Sequence, residues 1–122
     1  MKSVWALQID REALGDVLVL VLRGRLGAAS ADPLRDAVAG AVDGNGAPPA
    51  ILVDLEGVDY MSGTGLVALD AAVRRIRAAG GRLALSGACD PVRLVLDFGG
   101  LLADVPIEPS RAAGLERLRR GR

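Results

Sequence analysis

The 122-residue chain contains no histidine, which excludes a Ser-His-Asp triad, an imidazole base and any histidine-ligated metal site. Lys2 is the only lysine. A phosphate-binding loop with its lysine is therefore missing, and a buried Schiff-base lysine is not expected. Cys89 stands alone, so neither an intramolecular disulfide nor a multi-cysteine metal site can form. The aromatics are Trp5, Tyr60 and Phe98 only, which leaves an aliphatic core. The longest unbroken apolar run, Val17 to Leu22, falls far short of the roughly 20 residues of a membrane span. Lys2 is followed by mixed residues and then Asp10, Arg11 and Glu12, which is no signal-peptide pattern. These absences predict a soluble, cytoplasmic protein and remove most conventional enzyme chemistry.

Hydrophobic residues make up 51% of the chain and charged residues 25%, a globular balance that excludes intrinsic disorder. The length suits one domain, taken as residues 1–122. Fifteen acids balance fifteen bases, so total charge suggests no polyanion partner. The distribution is uneven: Arg111, Arg117, Arg119, Arg120 and Arg122 face only Glu116 beyond Ser110. Residues 110–122 read as a solvated basic C-terminal helix, its cations suited to the helix dipole. Nucleic-acid binding is not expected, because no aromatic platform lies among those arginines.

Val4 to Ile9 alternates as a short strand that ends at Asp10-Arg11-Glu12. A Gly15-Asp16 turn and a second strand from Val17 to Leu22, running on toward Gly27, complete an antiparallel hairpin. A helix is predicted from Ser30 or Asp32, with Leu34, Ala37, Val38 and Ala41 on its buried stripe and Arg35 and Asp36 pointing away. Gly44-Asn45-Gly46-Ala47-Pro48-Pro49 is a loop and the stretch most expected to flex. Ala50 to Leu55 reads as a central strand covered on both faces. Leu66, Leu69, Val73 and Ile76 mark a second helix that Gly80-Gly81 stops. Arg82 to Ser86 is the next strand. Asp90 as cap and Pro91 at the first position begin a third helix, with Val92, Val95 and Leu96 inward and Phe98 packed just beyond. A brief edge strand is predicted near Asp104 to Ile107, and Ser110 caps a last helix carrying Leu115 and Leu118. The order β-β-α-β-α-β-α-β-α predicts one α/β layer structure with a partly parallel sheet and right-handed crossovers.

Met61-Ser62-Gly63-Thr64-Gly65-Leu66 stands out chemically, because there a buried strand hands over to an amphipathic helix. The first N–H groups of a helix lack intrahelical partners and carry the positive end of its dipole. Ser62 and Thr64 place two hydroxyls at that point. They read either as helix capping, worth about 1 kcal/mol, or as a phosphoacceptor or contact surface. A nucleophile elbow is excluded, since the segment lacks Gly-x-Ser-x-Gly and the chain lacks histidine. A dinucleotide fingerprint is excluded because Gly63-Thr64-Gly65 leads to Ala68 rather than to a third glycine.

The stretch Ile51-Leu52-Val53-Asp54-Leu55-Glu56-Gly57-Val58-Asp59-Tyr60-Met61 running into that motif, then Gly80-Gly81-Arg82-Leu83-Ala84-Leu85, then Val92-Arg93-Leu94-Val95-Leu96-Asp97-Phe98-Gly99-Gly100-Leu101, together resemble a STAS domain of the bacterial anti-sigma factor antagonist family. The resemblance runs from about Val17 to Leu101. It implies a mixed sheet of four to five strands with about four helices, and a transcription-regulating binding module rather than an enzyme, with no cofactor or metal. The partner it implies is a histidine-kinase-like, ATP-dependent serine-kinase anti-sigma factor, which releases its sigma factor on binding. That kinase phosphorylates a serine at the start of the second helix and so abolishes binding, and a PP2C-type phosphatase restores it. Physically this is a charge switch, in which a phosphate pushed into a packed interface repels and resists desolvation.

The sequence departs from the family at that point. The usual tetrad Asp-Ser-Ser-Gly becomes Ser62-Gly63-Thr64-Gly65. Gly63 occupies the acceptor position, Ser62 replaces the preceding acid, and a second acid expected after Leu26 is Gly27. Three readings stay open: binding without phospho-control, modification at Ser62 or Thr64 instead, or other work on the same fold. One such alternative is an accessory subunit on the ATPase of a membrane lipid ABC transporter; another is a nucleotide or small-molecule sensor. The expected partner surface is Ser62, Gly63, Thr64, Gly65 and Leu66 with the following helix turn. Asp54 is expected to serve in structural hydrogen bonding. Arg74, Arg75 and Arg77 are read as a solvated face, with partner contact as the alternative, and Cys89 as a small residue in a turn.

Overall fold

A computed structural model describes residues 7–43 and 50–120, with the element order β-β-α-β-α-β-α-β-α. The hairpin is present, but its first strand, β1, is Gln8–Leu14 rather than Val4 to Ile9. It runs straight through the charged residues expected to end it, pairing antiparallel with β2 (Val17–Leu26) from Gln8↔Arg23 to Leu14↔Val17. An edge strand has one neighbour and largely solvated faces, so it tolerates Asp10, Arg11 and Glu12; such charges also protect the open edge. Gly15 joins the strands with φ +63°, and the following Asp16 lacks a positive φ, the combination of a type II′ hairpin turn. The predicted flexible loop, 44–49, lies outside the described residues, as do Val4, Trp5 and Ala6.

Helix α1 (Ala31–Val42) buries Leu34 and Val38 and leaves Arg35 and Asp36 exposed. Strand β3 (Ala50–Met61) is twice the length the apolar run suggests. Beyond Leu55 it continues beside β2, through irregularities between Val21 and Arg23 and between Gly24 and Arg25, to the pair Leu26↔Met61. β4 (Arg82–Ser86) pairs only with its first part. The far half of β3 is therefore less covered, which is why Glu56 and Asp59 fit there. Helix α2 (Gly63–Ala78) buries Leu66, Leu69, Val73 and Ile76 as predicted. Helix α3 (Asp90–Asp97) is capped one residue earlier than expected, at Cys89, with Asp90 and Pro91 inside the first turn. β5 is reduced to Ile107–Glu108 at the far edge, and α4 (Arg111–Arg120) follows, with the Ala113 N–H donating to Ser110 Oγ at 3.1 Å.

The strands lie in the order β1-β2-β3-β4-β5, parallel from β2 to β5. When parallel strands are added in sequence order, right-handed crossovers put every connecting helix on the same face. The packing agrees. Leu34 and Val38 of α1, Leu69 and Ile76 of α2, and Val92 and Leu96 of α3 share one core with Leu20, Leu22, Ile51, Val53, Leu83 and Leu85. On the other face Val17, Val19, Val21, Ala50, Leu52 and Ala84 are covered by α4 through Leu118 and Leu115. No aromatic is buried among the described residues: Tyr60 is 43% exposed and Phe98 is 78% exposed. Phe98 does not pack beyond α3 as expected. Its ψ of 130° takes the chain out of the helix, and Leu102 and Val105 fill the core below instead.

Candidate partner-binding surface

The start of α2 is set by backbone and side chain together. At the end of β3 the Ser62 N–H donates to the Leu26 carbonyl at 2.9 Å, tying the turn to the end of β2. Ser62 is extended (φ −94°, ψ 173°), and its Oγ accepts from the Gly65 N–H at 3.1 Å, so it is the N-cap. The Leu66 N–H then donates to the Ser62 carbonyl at 2.9 Å and the helix is under way. Thr64 Oγ1 lies 2.8 Å from Ser62 Oγ, so the two hydroxyls form one hydrogen-bonded pair.

The five residues expected to meet a partner divide by depth. Gly63 and Thr64 are exposed and Ser62 is half-buried. Gly65 and Leu66 are buried and lie beneath the surface rather than in it. A Cβ at Gly65 would stand 2.2 Å from the Leu26 carbonyl oxygen, whereas a Cβ at Gly63 would meet nothing within 4 Å. The outer face is continued by Val67, 60% exposed one turn on. Gly27 comes next to this turn, where its Cβ would be 3.7 Å from Ser62 Oγ. The two positions at which the resemblance expects acids are thus neighbours in space, and here neither carries charge. The first turn of α2 contains no acidic residue.

Sequence reasoning missed the flank of this turn. Tyr60 points outward from β3 beneath the Arg25 guanidinium, 4.3 Å from the ring centroid. Together with Leu7, Gly27, Ala28, Ala29 and Ser30 they line a cleft of about 250 Å³. The strand's alternation carried the signal, but only if β3 was known to continue past Leu55. Farther along α2, Arg74, Arg75 and Arg77 are exposed and pair with Asp70, Asp43 and Asp104. Cys89 is exposed, its Sγ 3.6 Å from the Val58 carbonyl.

Asp54 belongs to the opposite face. Its side chain is 5% exposed; Oδ1 accepts from the Glu56 N–H at 3.0 Å, and Oδ2 from Arg111 Nε and Nη2 at 3.2 and 2.8 Å. Arg111 also reaches Glu12 at 2.9 Å. The hydrogen bonds that the guanidinium donates to Asp54 first, and to Glu12, hold its pKa above the ordinary range despite the opposing effect of burial. This is a structural clamp between α4, β3 and β1. Among the described residues no group of three or more His, Cys, Asp or Glu is placed to hold a metal ion, and no helix is long and apolar enough to cross a membrane.

Comparison with known proteins agrees with this architecture. The STAS domain model matches residues 8–114. An anti-sigma factor antagonist from Mycobacterium paratuberculosis superposes with a TM-score of 0.82 at 21% identity, covering 98% of this chain and 99% of that one. SpoIIAA, the anti-sigma factor antagonist and cell fate determinant of Bacillus, matches in its unphosphorylated form with a TM-score of 0.73 at 22% identity, covering 94% of this chain and 97% of its own. The murine anion transporter Slc26a9 contains a similar unit: TM-score 0.76 at 17% identity, over 89% of this chain but 18% of the transporter. At these identities the structural likeness is one of fold, and the family follows from the model that spans most of the chain: this protein belongs to the STAS domain family.

Proposed function

We propose that this chain is an anti-sigma factor antagonist: a regulatory binding module, not an enzyme, that engages a histidine-kinase-like serine-kinase anti-sigma factor and thereby releases a sigma factor. The observation that carries the reading is the start of α2, a turn held rigid from below by Ser62, Leu26 and Gly65, with Gly63 and Thr64 presented outward and unobstructed. A fixed, uncharged protrusion of this kind suits docking by shape, because little order is lost on binding. The fold of solved anti-sigma factor antagonists supports the reading. SpoIIAA is known in phosphorylated and unphosphorylated forms. In this chain Gly63 stands at the acceptor position and offers no hydroxyl, so control by that route is absent. Thr64 Oγ1 is the exposed hydroxyl that remains, while Ser62 Oγ is engaged in the cap. A PP2C-type phosphatase acts on this protein only if Thr64 or Ser62 is modified.

A second reading, an accessory subunit on the ATPase of a membrane lipid transporter, is favoured by the recurrence of this fold within a membrane transporter. Affinity capture from the native cell with the intact chain as bait, read by mass spectrometry, separates the two. Recovery of a serine-kinase-like ATPase that also binds a sigma factor supports the first reading; recovery of a transporter ATPase overturns it in favour of the second. Binding to either ATPase should be lost in Gly63→Asp if the α2 turn is the contact, because the carboxylate would be desolvated there without a partner.

A further inference from the structure

The outer face of α3 is more apolar than a solvated helix face requires. Leu94 is 73% exposed and Phe98, one turn on, 78% exposed; Leu101 in the following turn is 39% exposed. Phe98 is the only phenylalanine of the chain, and a large rigid aromatic turned to solvent beside a leucine is the composition of an interface anchor. The charges of α3 are Asp90 at its start, one turn before Leu94, and the pair Arg93 and Asp97, opposite in sign and one turn apart. Both are about half exposed, and they approach each other at 3.5 Å within the same helix.

We propose that this face of α3 binds a second copy of the same chain across a two-fold axis. Docking two α3 helices antiparallel sets Arg93 of each copy against Asp97 of the other and Leu94 of each against the other's Phe98. A helix whose flanking charges repeat as plus and minus one turn apart is complementary to itself in that direction, which is what an isologous contact needs. The zero formal net charge of the chain sets no long-range repulsion between copies. The proposal does not depend on the identity of the regulatory partner. Helix α2 begins after Met61, and α3 begins next to Cys89, whose Sγ lies beside the Val58 carbonyl near the same end of β3. The eight residues of α3 therefore carry Phe98 about 12 Å away from that end, and a dimer built on it leaves both α2 turns open.

Sedimentation equilibrium of the full chain tests this. The wild type is expected to reach twice the chain mass within concentrations of up to about 100 µM, and Phe98→Ser should weaken association at least about tenfold with an unchanged melting temperature. Arg93→Asp and Asp97→Arg should each be monomeric alone and recover the dimer when mixed, since only the mixed pair restores both opposite-charge contacts. A wild type that stays monomeric, a dimer that survives Phe98→Ser, or a charge-reversed mixture that fails to associate overturns the proposal. So does a monomeric wild type that loses a captured foreign protein on Phe98→Ser, which would assign the face to that protein.

Discussion

Gly63 and Gly65 sit two positions apart at the start of α2 and face opposite surroundings. A side chain at position 65 would collide with the backbone carbonyl of Leu26, an atom that cannot move without disturbing β2. Gly65→Ala is therefore expected to cost about 3 kcal/mol, in the range of strained or overpacked sites, read by urea denaturation. Position 63 opens to solvent, so Gly63→Ala should be neutral or stabilise by about 0.5 kcal/mol through backbone entropy. Gly63→Asp should fold at least as well, because an acid in the first turn complements the helix dipole; a loss of partner binding in that variant then reports the interface and not the fold. Ser62→Ala removes the oxygen that satisfies the Gly65 N–H and should cost about 1 kcal/mol, with Ser62→Asp, another good capping residue, recovering most of it.

At the scale of elements, α4 buries fewer apolar side chains than α1, α2 or α3. It covers the second face of the sheet with Leu118 and Leu115, and its first residue is clamped by Arg111 to Asp54 and Glu12. Arg111→Met leaves the Asp54 carboxylate buried with only the Glu56 N–H. Breaking a fully buried pair costs more, but Arg111 is about one-third exposed, so the expected loss is about 2 kcal/mol. Adding Asp54→Asn to Arg111→Met should cost less than the sum of the two, the signature of direct coupling. The sign with pH follows from the raised pKa of Arg111. The guanidinium's contribution to the clamp is fully present below the ordinary arginine range and falls away as pH rises through the still higher folded value. The stability difference between wild type and Arg111→Met should thus be constant across neutral to mildly alkaline pH, as measured by thermal melts.

Across the whole molecule, the monotonic strand order gives the structure a helical face carrying α1, α2 and α3 and an opposite face covered by α4. The beginning of α2 and the end of α3 lie on different helices of that face, with the length of α3, about 12 Å, leading away from the end where α2 starts. Partner binding and self-association should accordingly be separable. Gly63→Asp is expected to abolish capture of the proposed ATPase partner while leaving the sedimentation mass unchanged, and Phe98→Ser to do the reverse. A double variant should show both losses without extra destabilisation, because sites this far apart and without shared contacts act additively.

Local pattern was enough for much of this protein. The spacing of Leu66, Leu69, Val73 and Ile76 marked the buried stripe of α2, Arg82 to Ser86 the bounds of β4, and Ser62 the cap, because each depends on residues within one or two turns. The resemblance to a STAS domain was legible in the same short-range way, in the stretches Ile51 to Leu66, Gly80 to Leu85 and Val92 to Leu101. Tertiary structure decided what depends on a neighbour distant in sequence. The charged strand Gln8–Leu14 exists because β2 supplies its hydrogen bonds, and β3 runs on to Met61 for the same reason. Gly65 and Leu66 turn out to lie beneath the proposed contact surface because the Leu26 backbone packs against one and the core takes the other. The pairing of Asp54 with Arg111, fifty-seven positions away, and the approach of Gly27 to Ser62 leave no periodic trace. Periodicity records which side of an element is apolar; it does not record which element will cover that side, and that is settled only when the sheet is assembled.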